Sequence, residues 1–418
     1  MEVKAGYKQT EVGVVPEDWV ITKLSSLSKE PMQNGVFFEP ARKGRGAKMI
    51  NVGDLYTKVP INEESLELFD ATENEISVFR VENGDLFFTR SSVVPSGIAH
   101  CNIFFALHSE PVVFDSHVIR YRPDPKKVSP SYLFRFCVAS VARTYLVSHA
   151  KTGTMTTIDQ GVLGKCPVVL PFTLAEQEAI AAALSDADAL IEALEQLLAK
   201  KRQVKQGAMQ ELLRPKNDWI EKKLGETAIL KARIGWQGLK TTEYLDTGDY
   251  FLVTGTEFRS GYIDWNNCHY VTLSRYKQDK NIQLRERDVL VTKDGTIGKV
   301  ALITDLPKPA TLNSGVFVIR PIDEAFDPEF FYYLLCSNIF IEFLGQLSAG
   351  STINHLYQKD FVNFVYKTPA TLAEQTAIAE VLGEMDAEIA ALEEKLSKAR
   401  LVKQGMMQEL LTGRVRLV

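Results

Sequence analysis

The chain has 418 residues, too many for one ordinary domain and enough for two or three. Apolar and charged fractions of 45% and 24% are those of a globular protein, and no run of about 18 apolar residues predicts a membrane span. A net charge of −5 runs against the basic footprint of a nucleic-acid binder. Yet residues 31–170 carry 15 Lys+Arg against 14 Asp+Glu, and residues 216–370 carry 18 against 19, so a local basic face stays open.

In chain order the sequence divides into an arm over 1–30, a module over 31–170, a helix over 171–215, a second module over 216–370 and a second helix with a tail over 371–418. The arm lacks the apolar core of a signal peptide, and the expected location is the cytoplasm. It ends in Asp18-Trp19, and the second module opens on Asp218-Trp219, 200 residues later. Both modules are filled with short β-rich runs broken by Gly, Asp and Asn, with one or two helices such as Tyr132–Ser148 and Pro328–Leu347. Gly84-Asp85-Leu86-Phe87-Phe88-Thr89-Arg90 answers Arg287-Asp288-Val289-Leu290-Val291-Thr292-Lys293, which makes the modules diverged copies of one α+β fold.

The helical segments have diverged far less. Thr173–Leu213 and Thr371–Leu411, 198 residues apart, share 27 of 41 positions. Leu184, Ile191, Leu194 and Leu198 recur at three- and four-residue spacings, and Leu382, Ile389, Leu392 and Leu396 repeat them. That heptad seam predicts coiled-coil pairing of two helices, each about 60 Å long at 1.5 Å per residue, and the module–helix repeat leads to an antiparallel arrangement in a pseudo-two-fold molecule. Pro215 stops the first helix, and Gly207 and Gly405 predict fraying or a bend late in each. The N-terminal arm is expected to close against the tail from Gly413 to Leu417.

Catalytic signatures are missing. The sequence has no P-loop, no dinucleotide-binding glycine pattern and no nucleophile elbow. Asp327-Pro328-Glu329-Phe330 differs at its third position from the tetrapeptide of amino-methylating enzymes, and Asp218 lies too close to Glu221 for a metal-dependent nuclease. Five cysteines without a CxxC pair and six scattered histidines predict neither a disulfide framework nor a metal site. The expectation is a binder with no catalytic residues and no metal.

Candidate nucleic-acid contacts are hydroxyls, amides and cations in polar runs. Arg42, Lys43, Arg45 and Lys48 form a glycine-spaced basic stretch read as a loop, suited equally to following phosphates or to facing solvent. Thr89, Arg90 and Ser91 in module one match Thr292, Lys293, Thr296 and Lys299 in module two. Later runs add Lys151, Thr154 and Thr156, then Ser351, Thr352 and Asn354. Such groups are what phosphate and base-edge hydrogen bonding requires.

At this point the chain resembles the specificity subunits of type I restriction-modification systems. The resemblance rests on Tyr7-Lys8-x-Thr10-Glu11-x-Gly13-x-x-Pro16-x-Asp18-Trp19 and on Val-Lys-Gln-Gly-x-Met-Gln-Glu-Leu-Leu closing both helices. It also rests on Asp288–Lys299, which looks like the family's glycine turn, whereas Arg90–Gly97 is longer and contains Pro95. It covers the whole chain. It implies two target recognition domains reading a bipartite, asymmetric site in double-stranded DNA, with helices that set the gap. Half-site centres would then lie about one helical turn apart. It also implies two methyltransferase subunits carrying S-adenosylmethionine and modifying adenine, joined by restriction and translocase subunits that use ATP and Mg2+, with no cofactor in this chain. Two other readings stay open: a specificity subunit for a methylase–nuclease fusion, and a coiled-coil scaffold presenting two protein-binding domains.

Overall fold

The computed structural model describes residues 5–10, 12–348 and 355–417. The chain forms two compact units. One comprises Met1–Glu195 with Glu394–Val418, and the other Gln196–Glu393. The boundaries fall inside the two long helices, Leu174–Leu212 and Leu372–Leu410, rather than at their ends. Each unit therefore contains half of each helix.

In the first unit a four-stranded sheet runs in the order Gln33–Asn34, Val118–Tyr121, Leu86–Thr89, Cys101–Ile103. Leu86–Thr89 is buried at every position, which is why its sequence reads as an unbroken apolar run rather than an alternation. A second sheet sets Lys43–Ile50 between Val112–Phe114, parallel to it, and Glu67–Phe69, antiparallel. Pro130 opens a helix to Val138, where a proline costs no hydrogen bond. Ala139 breaks it in extended conformation, and Ser140–Ser148 follows as a separate helix.

The second unit repeats this plan. Its four-stranded sheet runs Ala228–Ala232, Val316–Pro321, Val289–Thr292, Val300–Leu302, and Val289–Thr292 is again buried throughout. Tyr250–Val253 pairs in parallel with Ala310–Leu312. Asp327 caps Pro328–Leu335 by accepting from the Phe330 amide at 2.9 Å, and a 58° bend separates that helix from Asn338–Ser348. Both helix runs read as single from sequence are thus broken pairs. Among the described residues no single helix is long and apolar enough to cross a membrane.

The helices run antiparallel within each unit. In the first, Asp188 meets Lys403, and Glu195 meets Arg400 at 2.6 Å. In the second, Asp386 meets Lys205, and Glu393 meets Arg202 at 2.6 Å. These are the same contacts displaced by the 198-residue repeat. Leu184 is fully buried beside Leu410 and Leu411 in the first core, and Leu382 is fully buried with Leu213 in the second. Leu194, Leu198 and Leu396 are also buried, while Ile191, Ile389 and Leu392 are half-buried. Gly207 and Gly405 sit within unbroken helix.

The helix N-termini are tied down identically. The Gln177 side chain donates to the Pro171 carbonyl and accepts from the Ser129 amide, at 3.1 and 2.9 Å. Gln375 does the same with Pro369 and Asp327, at 3.0 and 2.9 Å. In the first unit the arm meets the tail. Tyr7 donates to the Gly413 carbonyl at 3.2 Å, and the Arg416 guanidinium bridges Asp18 at 2.9 Å and Glu176 at 2.8 Å.

Candidate nucleic-acid interface

The site is built from one threonine in each unit. Thr89 and Thr292 end the central strands, and both are buried. The Thr89 hydroxyl donates to the Gly97 carbonyl at 3.0 Å and accepts from the His100 amide at 2.9 Å. Thr292 does the same with Thr296 and Lys299, at 2.5 and 3.0 Å. Each hydroxyl closes the loop that leaves its strand. These two residues are therefore loop clamps, which corrects the reading of them as DNA-contacting hydroxyls.

The next residue is a cation held at the same station in both units. The Arg90 amide donates to His117 O at 3.0 Å, and its carbonyl accepts from Ile158 N at 3.0 Å. The Lys293 amide donates to Gly315 O at 2.8 Å, and its carbonyl accepts from Leu356 N at 2.9 Å. Arg90 is exposed, and Lys293 is half-buried with its Nζ 5.3 Å from the Phe317 ring centre. Below the strand a second repeated pair fixes the sheet. Arg122 holds Asp85 at 2.8 Å, and Arg320 holds Asp288 at 2.6 Å.

Beyond the shared station the loops differ. In the first unit Ser91-Ser92 pairs with Thr156-Thr157 as a short ribbon, which brings together two stretches 65 residues apart in sequence. Thr156 is buried in that ribbon, so it too is structural rather than available to DNA. Ser91 is half-buried, Thr154 is exposed, and Lys151 pairs with Asp159 at 3.2 Å. Arg143 pins the loop by donating to Ala99 O at 2.7 Å and Ser96 O at 2.9 Å. The tip is apolar: Val93 and Val94 are 80% and 56% exposed. In the second unit the loop is a tight turn with Gly295 and Gly298 at φ +69° and +79°, which glycine adopts without strain. Thr296 and Lys299 are exposed, and Asp294 pairs with His355. Ser351, Thr352 and Asn354 lie outside the described residues.

Arg42 ends a short 3-10 turn, and the rest of the basic stretch is a strand, not a loop. Lys43–Ile50 is extended, with a bulge between Lys43 and Ala47 where Gly44 and Gly46 take positive φ. All four cations are already matched. Arg42 pairs with Glu75 and stacks 4.5 Å from the Phe69 ring centre, and Lys43 meets Glu67 at 2.7 Å. Arg45 meets Asp70 at 2.8 Å, and Lys48 lies between Glu63 at 3.1 Å and Glu110 at 2.9 Å. The Arg42 guanidinium, with the Thr72 amide and hydroxyl, holds the Glu75 carboxyl down at about 2. A phosphate would have to displace these carboxylates.

Groups that the sequence reading passed over stand beside the candidates. Tyr357 is 55% exposed, and Lys359 Nζ lies 5.5 Å from its ring centre. His117 sits on Asp115, Nδ1 to Oδ1 2.9 Å. The Ser116 hydroxyl approaches that same nitrogen at 3.4 Å, so no proton relay from serine through histidine to aspartate exists here. In sequence the scattered histidines read as structural or surface residues rather than metal ligands. Their Asp-x-His and turn contexts were the available signal.

The family model of the type I restriction modification DNA specificity domain matches residues 16–203 and again 216–399. The chain belongs to that family. It is a type I restriction-modification specificity subunit with two target recognition domains. A putative type I restriction enzyme specificity subunit, MjaX of Methanocaldococcus jannaschii, is 24% identical over 98% of this chain and 97% of its own. The MjaVIII specificity subunit of the same organism is 26% identical over 68% and 70%. The crystal structure of a type I S subunit from M. genitalium has the same fold, with a TM-score of 0.60 at 13% identity and 98% coverage of both chains. The two matched segments begin near the Asp-Trp pairs, so the family's domain is the repeat seen in the sequence.

Proposed function

We propose that each unit of this specificity subunit reads one half of a bipartite, asymmetric DNA site, and that the paired helices set the unspecified gap. The observation that supports this reading most is the repeated station of Arg90 and Lys293. A duplicated scaffold holds equivalent cations, while the loops beyond them differ in length, charge and polarity. Such an arrangement suits two reading heads of one design with two targets. Recognition, not catalysis, is this chain's task. Two methyltransferase subunits carrying S-adenosylmethionine supply adenine methylation, and restriction and translocase subunits use ATP and Mg2+, all in the cytoplasm.

The test is to express this chain with the modification subunit encoded beside it, in a host lacking adenine methylation, and to map modified bases genome-wide. A split adenine motif with a fixed spacer is expected. Replacing residues 31–170 with those of another specificity subunit should change one half of it alone. A stable complex that leaves no motif, together with absence of sequence preference in binding, would return the chain to the scaffold reading.

A further inference from the structure

In the second unit neither Lys293 nor Lys299 has a carboxylate partner among the described residues. They stand on the two legs of one turn. Thr292 N donates to Lys299 O at 2.9 Å, and Gly298 N donates to Thr292 O at 2.9 Å, so the legs are zipped at the base. Between them the amides of Asp294, Gly295, Thr296 and Ile297 make no hydrogen bond to any described residue, whereas the turn's other donors are satisfied. Asp294, Gly295 and Thr296 are exposed, and a Cβ built on Gly295 meets nothing within 4 Å. The one acidic group in the turn, Asp294, is engaged by His355. Leu356 N donates to Lys293 O, which brings the exposed Tyr357 and Lys359 to the same place.

Successive unpaired amides in a glycine turn, flanked by unpaired ammonium groups, form an anion-binding environment. Lysine binds phosphate as a point charge, and backbone amides hold phosphate oxygens without carrying sequence information directly. We infer that the Lys293–Lys299 turn is a phosphodiester clamp that grips one backbone phosphate of the DNA bound by the second unit, fixing that unit's register without choosing its bases. Among the described residues the first unit has no equivalent clamp. Its loop places Val93 and Val94 at the tip, and Ser91-Ser92 is paired with Thr156-Thr157 instead of forming a glycine turn.

This inference rests on the DNA-reading role proposed above, and its test separates the two. The wild-type complex of this chain with its modification subunit is titrated with a duplex carrying the mapped site, and with a scrambled duplex, from 50 to 200 mM salt. Lys299→Ala, and Lys299→Glu as a stronger variant, are measured in parallel. For Lys299→Ala the slope of log K against log salt should fall by about 1, with binding weakened severalfold on both duplexes. The methylated motif should stay the same. A neutral methylphosphonate at the gripped phosphate should weaken the wild type and leave the variant unaffected. Unchanged affinity and slope for both variants overturns the clamp, and so does a change of bases in one half-site, which would make Lys299 a reader. Absence of sequence preference in the wild type instead refutes the DNA-reading role itself.

Discussion

The two units are built on one set of contacts and diverge where the chain leaves the central strand. Helix pairing, the glutamine ties and the Arg–Asp brace beneath the sheet recur pair for pair, and so does the threonine clamp. After the clamp, one unit presents a pinned loop with an apolar tip and the other a glycine turn with two lysines that have no carboxylate partner among the described residues. Burial explains the division. A buried contact resists change because its loss costs kilocalories, whereas an exposed loop residue usually costs within about 0.5 kcal/mol. Targets can diverge only on that second class of position.

If the framework is truly shared, equivalent core substitutions should hurt equally. Leu184→Asp and Leu382→Asp each put a carboxylate into a fully buried apolar site, and each should cost about 4 kcal/mol or more. Thermal unfolding of the two variants tests the equivalence, and a large difference between them would break it. Arg42→Ala probes a contact of the first unit alone. It removes the partner of Glu75 and should lower the midpoint of chemical denaturation. The same pair sets a pH dependence. The Glu75 carboxyl is depressed in the folded state to about 2, so its stabilisation is fully present above the unfolded value of about 4.5 and is lost as pH falls towards 2. Comparing wild type with Glu75→Gln, the stability gap should be constant above about pH 5.5 and should close in acid.

A smaller effect sharpens the comparison. Asp188 faces both Lys403 and Arg135, while Asp386 faces Lys205 and the neutral Tyr333 hydroxyl at 2.9 Å. Removing Lys403 leaves Asp188 a cation, but removing Lys205 leaves Asp386 none. Lys205→Ala should therefore cost about 1–2 kcal/mol, and Lys403→Ala less than about 1 kcal/mol. Equal losses would mean that Arg135 contributes nothing to Asp188.

The paired helices were legible because their signal is periodic and local, and it occurs twice. The strand Leu86–Thr89 and its counterpart were legible because a fully buried strand is a continuous apolar run. The candidate contacts fared differently for a physical reason. Arg42, Lys43, Arg45 and Lys48 looked free in sequence because Glu63, Glu67, Asp70 and Glu75 come 15 to 33 residues later, on elements that only folding brings alongside. Thr89 and Thr292 looked like ligand hydroxyls because a buried side chain bonding its own loop is indistinguishable, in sequence, from one bonding a partner, and the burial of Thr156 in its ribbon depends on a strand 65 residues away. The helix break at Ala139 was hidden because alanine itself favours helix, and only its extended backbone marks the stop.

The crossing of each long helix from one unit into the other has a consequence for synthesis on the ribosome. Gln196–Glu393 is one uninterrupted stretch of chain, so all the contacts of that unit exist once residue 393 has emerged. The first unit begins earlier and finishes later. Its core includes Leu410 and Leu411, and its arm is fastened by Arg416. During translation it waits, with part of its apolar surface open, while the second unit is made. Of the two units, the one that begins first is thus the one completed later, and chaperone demand should fall on it.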